Sequence, residues 1–261
     1  MLLIVPINDR IELLPYFLRY YSSLGVTEFV CALFNGGSNP HYPAIKAWST
    51  RYQLKIRNSV FADLKVRNSV IAGKADHYCS DIDSLGIDRI REEVAADHRW
   101  YAIADLDEFH SFGGPTLPEA VEEAERRGCE AVHGVFCDRI SADGSFPEIN
   151  GPLDDTFPLA CNLTARTGHC REKIVLARSH VRITSGHHSA AAKVWRNVAL
   201  VHHFKWSRGV DARVVANYRT AQAKGIAWML HALPPVLEVI ANGVNLSDPR
   251  LRVAPAPKLG I

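Results

Sequence analysis

A strand, a helix and a second strand follow one another at the start of the chain, with only short connections between them. The run LLIVP is continuously apolar and ends at Pro6, which is typical of a buried strand in a parallel sheet. In ELLPYFLRYYSSLG, apolar residues recur every three or four positions, Pro15 falls in the first turn and Gly25 follows the last turn. EFVCALF reads as another buried strand. A helix that joins two such strands predicts a parallel βαβ unit and the α/β class.

The following segments extend this pattern. Helices are predicted at 42–52, in GIDRIREEVAADH and at 117–127, and strands in WYAIA, EAVHGVF, KIVLARSHVRI and KVWRNVALVHHFKW. LKIRNSV recurs ten residues later as LKVRNSV, and one matched pair does not indicate a repeat architecture. We therefore expect a mainly parallel sheet flanked by helices in a single domain, residues 1–215. A C-terminal helix and tail, residues 216–261, are expected to pack on that domain.

Composition argues against several classes of protein. A net charge of +2 with acidic and basic residues interspersed gives no basic stripe, so nucleic acid is not an expected partner. The six cysteines form neither a C-x-x-C pair nor a disulfide framework, which favours a reduced, cytoplasmic protein. IAWMLHALPPVLEVIANG is interrupted by prolines and a glutamate, and it is too short to span a bilayer. No transmembrane segment is expected.

The segment YAIADLDEFH sends an apolar strand directly into carboxylates. In an extended chain, alternation places Asp105 and Asp107 on one face. The carboxyl ends of strands in open α/β sheets are where ligands bind, and repulsion between two adjacent acids is relieved by a proton, a basic partner or a divalent cation. Oxygen ligands favour magnesium or manganese. The alternative is structural: Asp105 caps a turn, while Asp107 and Glu108 are solvated.

Three segments together resemble family 2 type glycosyltransferases of the GT-A fold, in the subgroup with a D-x-D-E-F segment and a later histidine followed by an aromatic residue. They are NDRIELLPYFLRYYSSLGVTEFV, WYAIADLDEFH and VHHFKWS, and the resemblance spans roughly residues 3–210. It implies a GT-A fold, which is Rossmann-like, and an inverting transfer from a nucleotide sugar that depends on Mn²⁺ or Mg²⁺. The nucleotide-sugar half would be residues 1–110, and the acceptor and metal half residues 111–215.

The resemblance also implies roles for individual residues. Asp105 would lie near the ribose and contribute to the metal site, Asp107 would bind the metal that bridges the diphosphate, and His203 would be a further metal ligand. Lys205 and Lys173 would contact phosphate. The remaining nucleotide-binding candidates follow the first two strands or begin the helix before the motif, and they are Pro6, Asn8, Asp9, Asn35, Asp88 and Arg89. Helix capping is the alternative for the last two of these residues, and a polar strand face is the alternative for the HHFKW segment.

An inverting transfer needs a general base within reach of the acceptor hydroxyl. Asp138 is the first candidate and His188, in the small-residue loop SGHHSAAAK, is the second. The expected donor is a nucleoside diphosphate sugar, with a UDP-sugar favoured, and the acceptor is a hydroxyl of a small molecule or a glycan precursor. A nucleotidyltransferase is the alternative enzyme, although its glycine-rich signature is missing after the first strand. A non-catalytic metal-binding module is a third interpretation, which the scattered cysteines disfavour.

Overall fold

The computed structural model describes residues 1–7, 10–33, 41–52, 55–57, 91–92, 95 and 98–261. In these residues the chain divides into two compact units. The first contains the described residues up to Val135 together with Glu172–Leu200, and the second contains Phe136–Arg171 and Val201–Ile261. Candidates Asn8, Asp9, Asn35, Asp88 and Arg89, and most of the helix predicted before WYAIA, lie outside the described residues.

The elements of the described residues are numbered in chain order. The strands are β1 (Leu2–Ile7), β2 (Glu28–Leu33), β3 (Lys55–Arg57), β4 (Trp100–Ile103), β5 (Glu108–Ser111), β6 (Ala131–Ile140), β7 (Leu159–Cys161), β8 (Glu172–Arg178), β9 (Val194–His203) and β10 (Ala254–Pro255). The helices are α1 (Leu14–Ser23), α2 (Tyr42–Tyr52), α3 (Leu117–Arg126), α4 (Leu153–Thr156), α5 (Leu163–Arg166), α6 (Val210–Lys224), α7 (Ala227–Ala232) and α8 (Pro234–Asn242). Short 3₁₀ turns occupy Ile11–Leu13, Ser185–His187 and Pro249–Leu251.

The predicted βαβ unit is confirmed. β1 pairs with β2 in parallel through its whole length, from Leu2 opposite Glu28 to Ile7 opposite Leu33, and α1 connects the two strands. β3 joins β2 in parallel and β4 joins β1 in parallel, which gives the order β3-β2-β1-β4. Leu2, Leu3 and Ile4 are fully buried, as expected for an apolar strand covered on both faces.

Beyond β4, the sheet of the first unit becomes antiparallel. β8 pairs antiparallel with β4 and, on its other side, with the first half of β6. The sheet is therefore mixed, and the prediction of a mainly parallel sheet was wrong on this side. The chain is an α/β protein with an open mixed sheet flanked by helices, and α3 begins at the capping box formed by Thr116 and Glu119.

The second unit has its own core. The end of β6 pairs antiparallel with β7, which pairs with β10. Trp206, Val210 and Val236 are almost completely buried in one apolar cluster of this unit. The single terminal helix predicted for the C-terminal part was wrong: α6 ends at Gly225, a left-handed cap residue, and two further helices follow. The proposed boundary after residue 215 falls inside α6.

Candidate functional site

The chain turns immediately after β4 and does not stay extended. The backbone N–H of Glu108 donates to the carbonyl of Asp105 at 2.9 Å, which closes a tight turn between β4 and β5. The alternation that would place Asp105 and Asp107 on one face therefore does not apply. The turn instead brings together Asp105 and Glu108, a residue that the sequence alone left as a solvated acid.

Lys173 joins these two carboxylates. Its Nζ lies 2.8 Å from Asp105 Oδ2 and 2.8 Å from Glu108 Oε1. Burial opposes the lysine charge, but the attraction of Asp105 and Glu108 outweighs it and raises the pKa of Lys173. Burial also opposes the charge of Asp105, yet Lys173 holds the pKa of this carboxyl below its usual range. The sequence predicted Asp105 and Lys173 as two separate candidates for the nucleotide site. The structure places them in direct contact.

Glu108 is the most constrained member of this cluster. Only 2% of the residue is exposed, and burial followed by the charge of Asp105 raises the pKa of its carboxyl well above the usual value. Tyr21 of α1 donates its hydroxyl to the Glu108 carbonyl at 3.0 Å and accepts from the backbone N–H of His110 at 3.1 Å. Helix α1 therefore fixes the turn that carries the acids.

Asp107 faces a different basic side chain. Arg10 Nη1 lies 3.5 Å from Asp107 Oδ2, and Arg10 also contacts Glu12 at 3.0 Å. Arg10 follows β1 and adopts the left-handed conformation, with φ of 66°. β1 and β4 are adjacent, so their carboxyl ends supply Arg10 and Asp107 to the same edge of the sheet. Pro6 lies within β1, opposite Ala32 of β2.

Two neighbouring histidines enter this cluster from the loop after β8. His188 donates from Nδ1 to the carbonyl of Glu172 at 2.6 Å, because a carbonyl oxygen can only accept, and burial lowers the pKa of His188. His187 is 7% exposed, and burial, followed by the charge of Lys173, lowers its pKa to about 4. Both imidazoles are therefore neutral near pH 7. The resemblance pointed to His188 more than to His187.

The other predicted site residues lie in the second unit. Asp138 is fully buried and accepts hydrogen bonds from the Thr164 backbone N–H and hydroxyl, both at 2.6 Å, and from Trp206 Nε1 at 3.3 Å. His203 Nδ1 contacts the same carboxylate at 3.0 Å, and the ring of Phe136 stacks on His203 with centroids 4.6 Å apart. Burial opposes the charge, but these hydrogen bonds lower the pKa of Asp138.

This environment argues against Asp138 as a base that contacts an acceptor. A carboxylate with no exposed surface and four donors around it orients its neighbours, as an acid that fixes a histidine tautomer does. Thr164 and Trp206 were missed because their side chains meet Asp138 only through the fold of the unit. Lys205 lies past the end of β9, and its Nζ is 5.3 Å from the centroid of the Trp206 ring. Strand alternation therefore does not extend from His203 to Lys205.

The metal expectation has limited geometric support. In the part of the chain that the structure describes, no group of three or more His, Cys, Asp or Glu side chains has the arrangement of a metal site. Magnesium and manganese, however, commonly bind through one or two carboxylates together with substrate phosphates. Asp105 and Asp107 supply hard oxygen ligands, and burial, followed by the charges of Asp105 and Asp107, raises the pKa of the neighbouring Glu108. The donor set therefore fits such an ion when it arrives with a phosphate ligand.

Comparison with known proteins adds no family to this description. No protein-family model matches the chain, and no curated protein matches its sequence. Within the described residues, every helix is too short or too polar to cross a bilayer.

Proposed function

We propose that this protein is a glycosyltransferase that moves a sugar from a nucleoside diphosphate sugar, with a UDP-sugar favoured, to a hydroxyl acceptor. One observation carries the proposal: Asp105 and Asp107 lie directly after β4, at the edge where the carboxyl end of β1 lies beside it, and Lys173 of β8 contacts Asp105 there. Ligands of open α/β sheets bind outside the carboxyl ends of the strands.

The order of the strands supports this location. In β3-β2-β1-β4 the chain moves outward in one direction from β1 to β3 and then places β4 on the other side of β1. Strand order therefore reverses between β1 and β4, and such a switch point forms a crevice for nucleotides in doubly wound sheets. The acids of this protein lie at that switch point. A cluster of buried charges elsewhere in the sheet would not favour a nucleotide ligand in this way.

The charges of the cluster suit a diphosphate leaving group. Lys173 is a buried cation in direct contact with Asp105, and we assign it as a phosphate contact of the donor. Asp107 and Asp105 would hold Mn²⁺ or Mg²⁺, which when bound neutralises the charge that develops on the departing diphosphate. Arg10 and Lys173 hold the two aspartates in place.

We assign the general base to His188. Because its Nδ1 donates to the Glu172 carbonyl, the neutral ring carries its lone pair on Nε2. A neutral imidazole can accept the proton of an acceptor hydroxyl, whereas both oxygens of Asp138 are already taken by Thr164, His203 and Trp206. An inverting transfer requires one such base.

A thermal-shift screen tests the proposal. The protein would be heated with UDP, GDP, CMP, ADP or dTDP and the corresponding nucleotide sugars, each with and without manganese. A ligand that binds only the folded state raises the melting temperature, and at 100 times its Kd it adds about 2.7 kcal/mol. We expect one diphosphate to stabilise the protein more than the others and to do so with manganese. Release of a nucleoside diphosphate on turnover would identify a glycosyltransferase, release of pyrophosphate would identify a nucleotidyltransferase, and the absence of any shift would contradict both.

A further inference from the structure

His187 holds an uncommon backbone conformation. Its φ is 59°, in the left-handed region that only a few per cent of non-glycine residues adopt, histidine more often than most. The preceding Gly186 is also left-handed, and a Cβ there would lie 2.7 Å from His188 Nε2, so glycine is required at 186 for space. No such requirement explains a histidine at 187. Strain of this kind is retained mainly at functional sites.

The imidazole of His187 has a second unfavourable feature. Its Nδ1 is enclosed and, among the residues that the structure describes, has no hydrogen-bond partner. The residue is 7% exposed, and it lies close enough to Lys173 and Asp105 for their charges to act on its pKa. A buried polar atom without a partner is destabilising, and in native proteins it commonly marks a place for a water or a ligand.

The position of His187 indicates which part of a nucleotide sugar it would meet. β4 lies between β1 and β8 in the sheet, and His188 anchors this loop to Glu172, the first residue of β8. A nucleoside at the β1–β4 crevice, with its diphosphate at Lys173, would leave the sugar on the β8 side. His187 lies in the loop that follows β8, on that side.

We propose that His187 hydrogen-bonds a hydroxyl group of the donor sugar and thereby selects the sugar that is transferred. This inference rests on the proposed glycosyltransferase function. A sugar hydroxyl both donates and accepts, so it can satisfy a neutral imidazole nitrogen whichever tautomer is present. The nucleotide and its phosphates would be held by other groups, and His187 would contribute to the affinity for nucleotide sugars but not for nucleoside diphosphates.

Calorimetric titration of UDP, UDP-glucose and UDP-galactose with manganese tests this inference on the wild-type chain, His187→Gly and His187→Asn. Glycine and asparagine both tolerate the left-handed backbone, so neither variant adds strain. We expect His187→Gly to lose about 10-fold in affinity for the preferred UDP-sugar, equivalent to about 1.4 kcal/mol. The affinity of this variant for UDP should change less than twofold. The ratio of its affinities for UDP-glucose and UDP-galactose should move closer to one. His180→Gln, at an exposed histidine of the same unit, is the matched control.

The outcomes separate the two proposals. If the wild-type protein binds no nucleoside diphosphate and no nucleotide sugar of the thermal-shift screen, the proposed function fails and the sugar contact fails with it. If the wild-type protein binds and both His187 variants keep the wild-type ratio of UDP-sugar to UDP affinity, His187 does not contact the sugar and only this inference is overturned. An equal loss for UDP and UDP-sugar would place His187 at the nucleotide and would also overturn it. A merely structural role would lower the melting temperature without changing the ratio.

Discussion

The carboxylate of Asp138 and the imidazole of His203 form a buried pair, with Oδ1 and Nδ1 3.0 Å apart. Asp138 has no exposed surface, and its two oxygens also accept from Thr164 and Trp206. Three donating residues therefore depend on one carboxylate. Its loss would affect all of them together.

Replacing Asp138 with asparagine should lower the free energy of unfolding by about 1–3 kcal/mol. An amide keeps one acceptor oxygen but introduces an NH₂ group that cannot accept, so at least one buried donor loses its partner. Urea denaturation at pH 7 would measure the loss, with Asp155→Asn at an exposed position as the control. A stability within 0.5 kcal/mol of wild type, roughly the scatter of surface substitutions, would show that these hydrogen bonds do not hold the unit together.

Lys173→Met should be among the most destabilising single changes in the first unit. Removal of one partner from a buried ion pair typically costs about 3–5 kcal/mol, and we expect the lower end because 38% of the Asp105 side chain is exposed. Glu108, which is almost completely buried, would lose its cation at the same time. Chemical denaturation would measure the effect against Lys258→Met, which changes an exposed lysine. Equal stability of the two variants would refute the ion pair.

Strands β1, β2 and β4 and helix α1 could be predicted from the sequence because their signals are local. Apolar runs, a proline in the first helical turn and a glycine after the last turn act within a few residues of one another. Gly225 and the pair Pro234 and Pro235 also mark boundaries between the three C-terminal helices in the sequence. The prediction nevertheless combined these helices into one. Gly225 is left-handed, with φ of 65°, and Pro234 begins α8.

The candidate site was less predictable because its geometry depends on distant residues. Asp105 and Lys173 are 68 positions apart, and strand alternation carries no information about that contact. Glu108 resembles a solvated acid in its local sequence, and its burial follows from Lys173 and from Tyr21 of α1. Arg10, which contacts Asp107, has a left-handed backbone, a conformation that non-glycine residues seldom adopt and that the local sequence does not predict.

Acid should destabilise the protein through His202. Burial, followed by the charge of Arg139, lowers the pKa of His202 to about 3, whereas the unfolded chain binds the proton near pH 6.5. The unfolded state therefore gains the proton first, and the stability from the neutral ring is full above pH 6.5 and falls as the pH drops towards 3. Between pH 7 and pH 5 the expected loss is about 2 kcal/mol, at 1.36 kcal/mol per pKa unit.

His202→Gln should remove this share of the acid sensitivity. The Arg139 guanidinium can only donate, so His202 Nδ1, 3.2 Å from Nη1, is an acceptor that the glutamine oxygen can replace. Denaturation at pH 7 and pH 5 would compare the variant with wild type, and His231→Gln on α7 serves as the exposed control. If His202→Gln loses as much stability on acidification as wild type does, another group is responsible.

Asp107→Ala should abolish the manganese-dependent part of nucleotide binding while leaving the fold intact. Asp107 is a partly exposed carboxylate that lies 3.5 Å from Arg10, and Arg10 keeps its contact with Glu12 when Asp107 is replaced. For a chain of this length, a diphosphate at 100 times its Kd should raise the wild-type melting temperature by about 5–10 °C in the presence of manganese. In the variant the manganese-dependent increment should fall below about 1 °C, and Asp155→Ala should retain it. A full manganese-dependent increment in Asp107→Ala would mean that the ion is held without Asp107. An undiminished shift in EDTA-treated wild-type protein would mean that the phosphates are bound without a metal.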